Sequence, residues 1–286
     1  MGRSAEGIKV ARNSIGGHVT REREYLFVDG GSLRAAVRKI CQDSFGDANA
    51  YQPHIPAIAS GGYDKVFYYD AVPGKAHEEA QPAYEARVHP DYERFAKIQA
   101  LDRVHVALGQ VVGADKRQKG VDVRLAVDMM THAFRGNITR ATLFAGDADF
   151  VPLIKALVSE GLHVTLWHPP QANAELRGAA DSTRLFDFKI NHNCLTADGQ
   201  QSAFQILSSG GSILSPAREN VVTVGEYQFA GRWKSGILQV WRRGPGNGWS
   251  RIDMSAPNAS LARALTAFDM INAWDVAATG ESWIET

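Results

Sequence analysis

Cysteine, net charge and long hydrophobic runs are all scarce in this sequence of 286 residues. Its 2 cysteines, Cys41 and Cys194, have no CxxC spacing and no neighbouring His/Cys cluster, which argues against a zinc site and against a disulfide scaffold. The 31 basic and 31 acidic residues cancel, so any nucleic-acid binding must come from local patches. No apolar run approaches the roughly 20 residues that span a bilayer, and residues 1–24 lack the apolar segment of a signal peptide. We therefore expect a flexible segment 1–24 and a cytoplasmic protein without membrane contact.

Strand-like and helix-like patterns alternate from residue 25 to about residue 190. The strand candidates are the short apolar runs YLFVD, KVFYYDA, RVHVALGQVV, RATLFAG and HVTLWH. The helix candidates between them are SLRAAVRKICQDSFG, HPDYERFAKIQAL, VDVRLAVDMMTHAF and DFVPLIKALVSEG. This alternation predicts an α/β fold with a mostly parallel sheet and helices on both of its faces.

Local signals predict where several of these helices begin and end. Ser32 is a candidate N-cap for the first helix, and Gly46 is placed to end it. Pro90 and Asp91 are expected at the start of the second helix. In the third helix, one side is formed by Val123, Val127 and Met130.

The pattern changes after residue 190, and we expect residues 191–286 to form a small, separate α+β module. Its strand candidates are VVTVGEYQFAGRW, GILQVWRR and GWSRIDM, followed by the helix candidate NASLARALTAFDMINAW. Tryptophans alternate with arginines and a lysine here, which suits stacking on single-stranded nucleic acid. The other explanation, which we favour, is a small sheet with tryptophans in its core and arginines outside. The residues concerned are Trp233, Trp241, Trp249, Arg232, Lys234, Arg242, Arg243 and Arg251.

Acidic residues follow several of the predicted strands. They are Asp29, Asp70, Asp122, Asp147 and Asp149. The carboxyl ends of parallel strands meet at one edge of a sheet, so residues far apart in sequence can share a site there. Converging carboxylates repel one another unless a cation lies between them, and oxygen ligands of this kind suit Mg²⁺ or Mn²⁺. The sequence therefore predicts metal-assisted hydrolysis of phosphodiester bonds.

Each acid also has a purely structural explanation. Asp149 could cap the helix that begins at Phe150, and Asp122 could cap the helix that follows it or favour its dipole. Asp70 is the weakest candidate and could simply contact the sheet edge or a loop. Asp128 is expected to be solvated or salt-bridged, because it lies six residues after Asp122 and faces another side of the helix.

The ordered set YLFVDGGSL, VFYYDA, KGVDVRLAVDMM, LFAGDADFVPLIKAL and GLHVTLW resembles the NYN domain, a branch of the PIN-like nuclease superfamily, and most of all its LabA-like group. The resemblance covers residues 25–190. It implies a three-layer α/β/α, Rossmann-like fold and a metal-dependent ribonuclease, and it matches the family's acids to Asp29, Asp122, Asp147 and Asp149. Members often have Asn where this chain has Ser32, which we expect to hydrogen-bond Asp29 or a phosphate.

RNA, expected to be single-stranded, is the partner that this resemblance implies. Lys119 fits the family pattern, and Lys116 and Arg117 in the same loop are candidate phosphate contacts beside the acids. A second set of cations, on the first helix, is less well placed: Arg34, Arg38 and Lys39.

Other functions remain open. A phosphotransferase of the HAD type needs DxD after its first strand, where this chain has DGGS, and a Toprim domain has Glu where this chain has Asp29. A catalytically weak NYN domain that serves as an RNA-binding or protein-interaction module is the main alternative, and homo-oligomerisation is left open.

Overall fold

The computed structural model describes residues 22–111, 118–211 and 221–279. Its strands are β1 (Glu24–Asp29), β2 (Gln52–Pro53), β3 (Lys65–Val72), β4 (Val104–Val111), β5 (Gln118–Lys119), β6 (Arg140–Phe144), β7 (His163–His168), β8 (Ser182–Leu185), β9 (Leu195–Thr196), β10 (Gln205–Gly211), β11 (Val221–Val224), β12 (Tyr227–Lys234), β13 (Ile237–Arg243) and β14 (Ser250–Ser255). Its helices are α1 (Gly30–Phe45), α2 (Ile55–Ala59), α3 (Gln81–Gln99), α4 (Val121–Phe134), α5 (Val151–Ser159), α6 (Ala174–Ala179), α7 (Phe188–Asn191) and α8 (Leu261–Asn272). None of the helices within these ranges has the length and hydropathy to cross a membrane.

The first part of the chain forms a 7-stranded sheet in the order β5-β4-β3-β1-β6-β7-β8. Neighbouring strands are parallel except for the short antiparallel pair β4 and β5. The predicted mostly parallel sheet is therefore confirmed. β1 lies between β3 and β6, so the carboxyl end of β1 meets those of two neighbours at one edge.

Strand β1 is apolar from Tyr25 to Val28 because both faces of the sheet are covered. Leu26 and Val28 belong to the hydrophobic cluster on one face, and Tyr25 and Phe27 belong to the cluster on the other. Side chains alternate between the faces of a strand, so a strand buried on both sides carries a continuous apolar run.

Helices cover both faces and complete the predicted three-layer α/β/α arrangement. On one face, Val37 of α1 and Phe95 of α3 are buried in the cluster that contains Leu26. On the other face, Leu125 of α4 and Ile154 of α5 are buried.

Two predicted helix features are wrong. Helix α3 begins at Gln81, nine residues before the predicted start, and Pro90 lies inside it. A proline that follows a polar stretch can start a helix, but here Pro82 already occupies the first turn. In α4 the buried side contains Val121, Leu125 and Met129. On the side predicted from the apolar spacing, Val123 is exposed to 67% and Val127 to 55%, and only Met130 packs against the core.

The last part of the chain forms a 5-stranded antiparallel sheet in the order β10-β14-β13-β12-β11, with α8 against it. The additional antiparallel sheet and helix agree with the predicted α+β content. Strand β10 was missed because its sequence, QILSSGG, ends in serines and glycines, which are poor strand formers, and lacks an alternating pattern. The buried Leu238 and Phe268 share one hydrophobic cluster with Ile40 of α1. The division of the chain after residue 190 stays a prediction.

Candidate active site

Asp29 ends β1 and lies at the edge where the strand ends meet. Its carboxylate accepts hydrogen bonds from the backbone N–H groups of Gly31 (2.9 Å) and Ser32 (3.2 Å), which makes Asp29 the N-cap of α1. Ser32 was predicted to be this cap, and that prediction is wrong. The residue Asp29 is only 6% exposed, and its carboxylate is held at the positive end of the helix dipole. Gly46 ends α1 in a left-handed conformation (φ 70°), as expected.

Ser32 connects the ends of two neighbouring strands. Its hydroxyl donates to Oδ2 of Asp29 at 2.6 Å, so the predicted contact with Asp29 is present. The same hydroxyl oxygen accepts from the backbone N–H of Gly146 at 3.2 Å. Gly146 directly precedes Asp147 in the segment after β6. Ser32 therefore fixes the first acid relative to the segment that carries the third and fourth.

Asp147, and not Asp149, caps the turn that follows β6. Oδ1 of Asp147 accepts from the backbone N–H of Asp149 at 3.0 Å and caps the 3-10 turn Ala148–Phe150. The helix that follows, α5, begins at Val151 without any side-chain cap. Of the two explanations left open for Asp149, the helix cap is therefore excluded. Both acids are exposed, and within the part of the chain that the structure covers Asp149 donates to or accepts from no other side chain.

Asp122 is the acid on which the negative charges of the other three candidates act. It lies in the first turn of α4, whose N-cap is Gly120 in a left-handed conformation (φ 86°), so Asp122 is not a cap. Partial burial raises the pKa of the Asp122 carboxyl, and the negative charges of Asp29, Asp147 and Asp149 raise this pKa further. The negative charges of Asp29, Asp147 and Asp149 therefore act on Asp122, whereas a common site formed by all four acids stays a prediction. Their mutual repulsion favours a cation between them.

The donor set suits a hydrated divalent ion. The carboxylate of Asp122 and Oδ2 of Asp147 accept no hydrogen bond from described protein groups, and Asp149 is similarly free, so oxygen ligands are available. Counting only residues 22–111, 118–211 and 221–279, no three His, Cys, Asp or Glu side chains are grouped closely enough to enclose a metal by themselves. Mg²⁺ commonly keeps several waters and contacts one or two carboxylates, and this arrangement matches that habit better than a closed cage.

Asp70 and Asp128 have structural roles. Asp70 is fully buried and accepts from Tyr68 Oη (3.0 Å), from the backbone N–H of Ala71 (2.7 Å) and from the guanidinium of Arg34. Gly30 makes room for this group, because a Cβ there would lie 2.7 Å from both Oδ2 of Asp70 and Oη of Tyr68.

Asp128 accepts from Tyr69 Oη at 3.0 Å and lies 3.9 Å from Arg124. It is salt-bridged, as predicted, and it lies on the sheet-facing side of α4, where it contacts Tyr69.

The candidate cations of α1 lie among the described residues, and those of the loop before α4 mostly do not. Lys116 and Arg117 lie outside the described residues, and Lys119 is described only as part of the backbone of β5. On α1, Lys39 pairs with Asp43 at 2.7 Å and Arg38 is exposed. Arg34 is the member of this group that reaches the sheet edge, through its ion pair with Asp70.

Aromatic residues of the C-terminal sheet are covered by the arginines next to them. Trp233 is buried, whereas Trp241 and Trp249 are half-buried. The guanidinium groups of Arg251 and Arg243 lie 5.0 Å and 5.2 Å from the ring centroids of Trp241 and Trp249, respectively. One face of each ring is therefore occupied within the chain, which agrees with the packing explanation of this pattern.

Comparison with known proteins concerns mainly the first part of the chain. The family model of the NYN domain matches residues 24–187, more than half of the sequence. No curated protein matches the chain. A protein of unknown function from Vibrio parahaemolyticus is 18% identical, with 58% of this chain and 93% of that chain covered and a TM-score of 0.39. A proposed oxidoreductase from Parabacteroides merdae is 13% identical, with 60% and 33% covered and a TM-score of 0.24. Likenesses this distant carry no functional information.

Proposed function

The chain belongs to the NYN domain family, a branch of the PIN-like nuclease superfamily, and from that premise we propose that it is a metal-dependent ribonuclease. It cleaves phosphodiester bonds within RNA, with a single-stranded substrate. The observation that supports this proposal is the raised pKa of Asp122, to which the negative charges of Asp29, Asp147 and Asp149 contribute. The LabA-like subgroup stays a prediction, because the match is to the NYN family as a whole.

The acids divide the work according to their hydrogen bonds. Asp29 accepts from protein donors at both oxygens and defines the geometry of the site. Asp122 and Asp147 keep oxygens free to hold Mg²⁺ or Mn²⁺, directly or through water. The bound ion would activate water and neutralise charge on the phosphate. Asp149, which is exposed and caps nothing, serves as a further ligand or orients the attacking water.

Two further expectations belong to this proposal. Ser32 positions Asp29, so a phosphate contact is a secondary role for it. A cytoplasmic location fits Cys41 and Cys194, which are both buried free cysteines, because a reducing compartment keeps thiols unpaired.

Asp147→Asn tests the proposal. The amide oxygen of Asn can still accept the hydrogen bond from Asp149 N–H, so the 3-10 turn should persist while the ligand charge is lost. We expect cleavage of a generic single-stranded RNA with Mn²⁺ to fall by at least about a hundredfold, as for other residues that stabilise transition-state charge. Asp102→Asn is the matched control, because the Asp102 side chain is 91% exposed and precedes the amino end of β4, at the edge of the sheet opposite the carboxyl ends. Unchanged cleavage by Asp147→Asn would remove this acid from the site.

The second candidate function is a catalytically weak NYN domain that binds RNA or protein. It is favoured by Ser32, which stands where members of the family often have Asn, and by the zero net charge of the chain. Binding of the same RNA without cleavage at any Mn²⁺ concentration would select this alternative.

A further inference from the structure

The two faces of the five-stranded C-terminal sheet differ in character. Side chains alternate between the faces of a strand, so the pairing register assigns each residue to one face. Phe229, Trp233 and Leu238 lie on the face that packs against α8, and all three are buried in one hydrophobic cluster with Phe268 of that helix. The residues that alternate with them lie on the opposite face, which we call the outer face.

The outer face carries an excess of basic side chains. They come from three neighbouring strands: Arg232 and Lys234 from β12, Arg243 from β13 and Arg251 from β14. Asp253 of β14 is the acid that the described strands place on this face. Four basic residues therefore share the outer face with one acidic residue.

Three of these positive charges are not compensated by a described acid. Arg251 is neutralised, because its Nε donates to Oδ1 of Asp253 at 2.6 Å. Arg243 donates to the amide oxygen of Gln228 at 2.6 Å, and this neutral partner leaves its charge in place. Arg232 and Lys234 are exposed, and neither forms an ion pair with any residue that the structure covers. The outer face therefore suits an anionic partner.

Aromatic rings lie beside these cations. Trp233 is in the core, as the packing explanation requires, but Trp241 lies on the outer face opposite Arg251. Trp249 lies beside the same face, since its ring centroid is 5.2 Å from the guanidinium of Arg243. Packing also leaves Nε1 of Trp241 buried without an acceptor among the described residues, although a buried indole N–H usually has one.

This combination suits single-stranded nucleic acid better than other anionic partners. Phosphates bind to cations, and unstacked bases stack on aromatic rings and on guanidinium planes. An anionic membrane would also be attracted by the charge, but a surface that binds a bilayer inserts apolar side chains. Trp241 and Trp249 are half-buried and lie against arginines, so they are not free to insert.

We propose that the outer face of the C-terminal sheet binds single-stranded nucleic acid, with phosphates on Arg232 and Lys234 and a base stacked on the pair of Arg243 and Trp249. RNA as the natural strand rests on the proposed ribonuclease function, whereas binding by this face does not. The family match ends at residue 187, so this surface adds a strand-binding site outside the NYN domain.

Removal of the two exposed charges tests the phosphate contacts. Arg232→Gln/Lys234→Gln in the full chain should weaken binding of a labelled single-stranded RNA about tenfold, measured by fluorescence anisotropy in EDTA. The salt slope of log K should fall by about 0.7 for each lost phosphate contact. Arg177→Gln/Lys189→Gln is the matched control, because it removes an exposed arginine of α6 and an exposed lysine of α7. This control should leave the affinity and the salt slope unchanged.

Substitution of Trp249 tests the stacked base. Trp249→Ala should weaken RNA binding about tenfold without changing the salt slope, because base stacking carries no charge. Trp249→Phe keeps an aromatic ring and should retain most of the affinity. Thermal melting of each variant measures whether the chain folds. RNA binding equal to wild type in a folded Trp249→Ala would contradict the stack.

The remaining outcomes decide the proposal as a whole. Equal RNA affinity and salt slope in wild type and Arg232→Gln/Lys234→Gln would overturn it, as would an equal loss in the control pair. Binding to phosphatidylserine vesicles that is lost in Arg232→Gln/Lys234→Gln, with RNA binding unchanged, would also overturn it and would assign the face to a membrane. EDTA keeps cleavage out of these measurements, so failure of the ribonuclease proposal would show only in the separate cleavage assay.

Discussion

Removal of the Ser32 hydroxyl should loosen the junction between β1 and β6. In Ser32→Ala, Oδ2 of Asp29 loses a donor at 2.6 Å and the N–H of Gly146 loses an acceptor at 3.2 Å. A hydrogen bond to a charged group contributes about 1.5–3 kcal/mol, and Asp29 is too buried for water to replace it fully. We expect the free energy of unfolding to fall by about 2–3 kcal/mol at neutral pH.

Urea unfolding followed by circular dichroism measures this loss. Ser159→Ala is the control, because its hydroxyl donates to the Ala156 carbonyl at 2.7 Å on an exposed helix end and involves no charge. This control should change the free energy of unfolding by less than about 0.5 kcal/mol, as surface substitutions usually do. Equal values for the two variants would refute the role of Ser32. RNA cleavage should also fall in Ser32→Ala, because Asp29 would no longer be fixed relative to Asp147.

Two further predictions concern the other buried and converging acids. Asp70→Asn should lower the free energy of unfolding by about 3 kcal/mol, because it breaks the buried ion pair with Arg34. The control Asp43→Asn, which breaks the exposed pair with Lys39, should change the free energy of unfolding by less than about 1 kcal/mol. Equal denaturation midpoints for the two variants would contradict this prediction. The raised pKa of Asp122 means that the folded state holds its proton more tightly than the unfolded chain, so this group costs stability as pH rises through the pKa. Asp122→Asn should therefore melt at a higher temperature than wild type at pH 7, and this difference should vanish below the pKa of an unfolded aspartate. Mn²⁺ should raise the melting temperature of wild type more than that of the variant. A difference in melting temperature that stays constant across pH would contradict the charge cluster.

The sequence was most informative where burial dictates residue type. Strands β1 and β6 are apolar on both faces, so their runs and the acids that end them were visible without a structure. Which acid caps a turn was not, since Ser32, Asp147 and Asp149 are all good caps and only the backbone geometry selects among them.

Features made by distant segments left no comparable signal. Helix α4 is apolar on two sides, and only its contact with the sheet decides that Leu125 is buried and Val123 exposed. A cleft of about 750 Å³ on the α3 side of the sheet is the clearest case, because the residues that line it share no motif and meet only through the fold. They include Arg34, Tyr68, Lys97 and the turn of residues 197–200.

A chain with zero net charge can attract an RNA strand only through local positive charge. Asp29, Asp122 and Asp147 repel a phosphate unless a cation neutralises them, so the acid edge alone cannot hold a strand. Arg34 lies on the same helix that Asp29 caps, and its ion pair with Asp70 fixes its guanidinium beside the acids. Arg34 and a hydrated metal held by the acids would divide the binding of neighbouring phosphates between them. RNA affinity should therefore depend on Mn²⁺, because the metal would neutralise the acids that otherwise repel the strand.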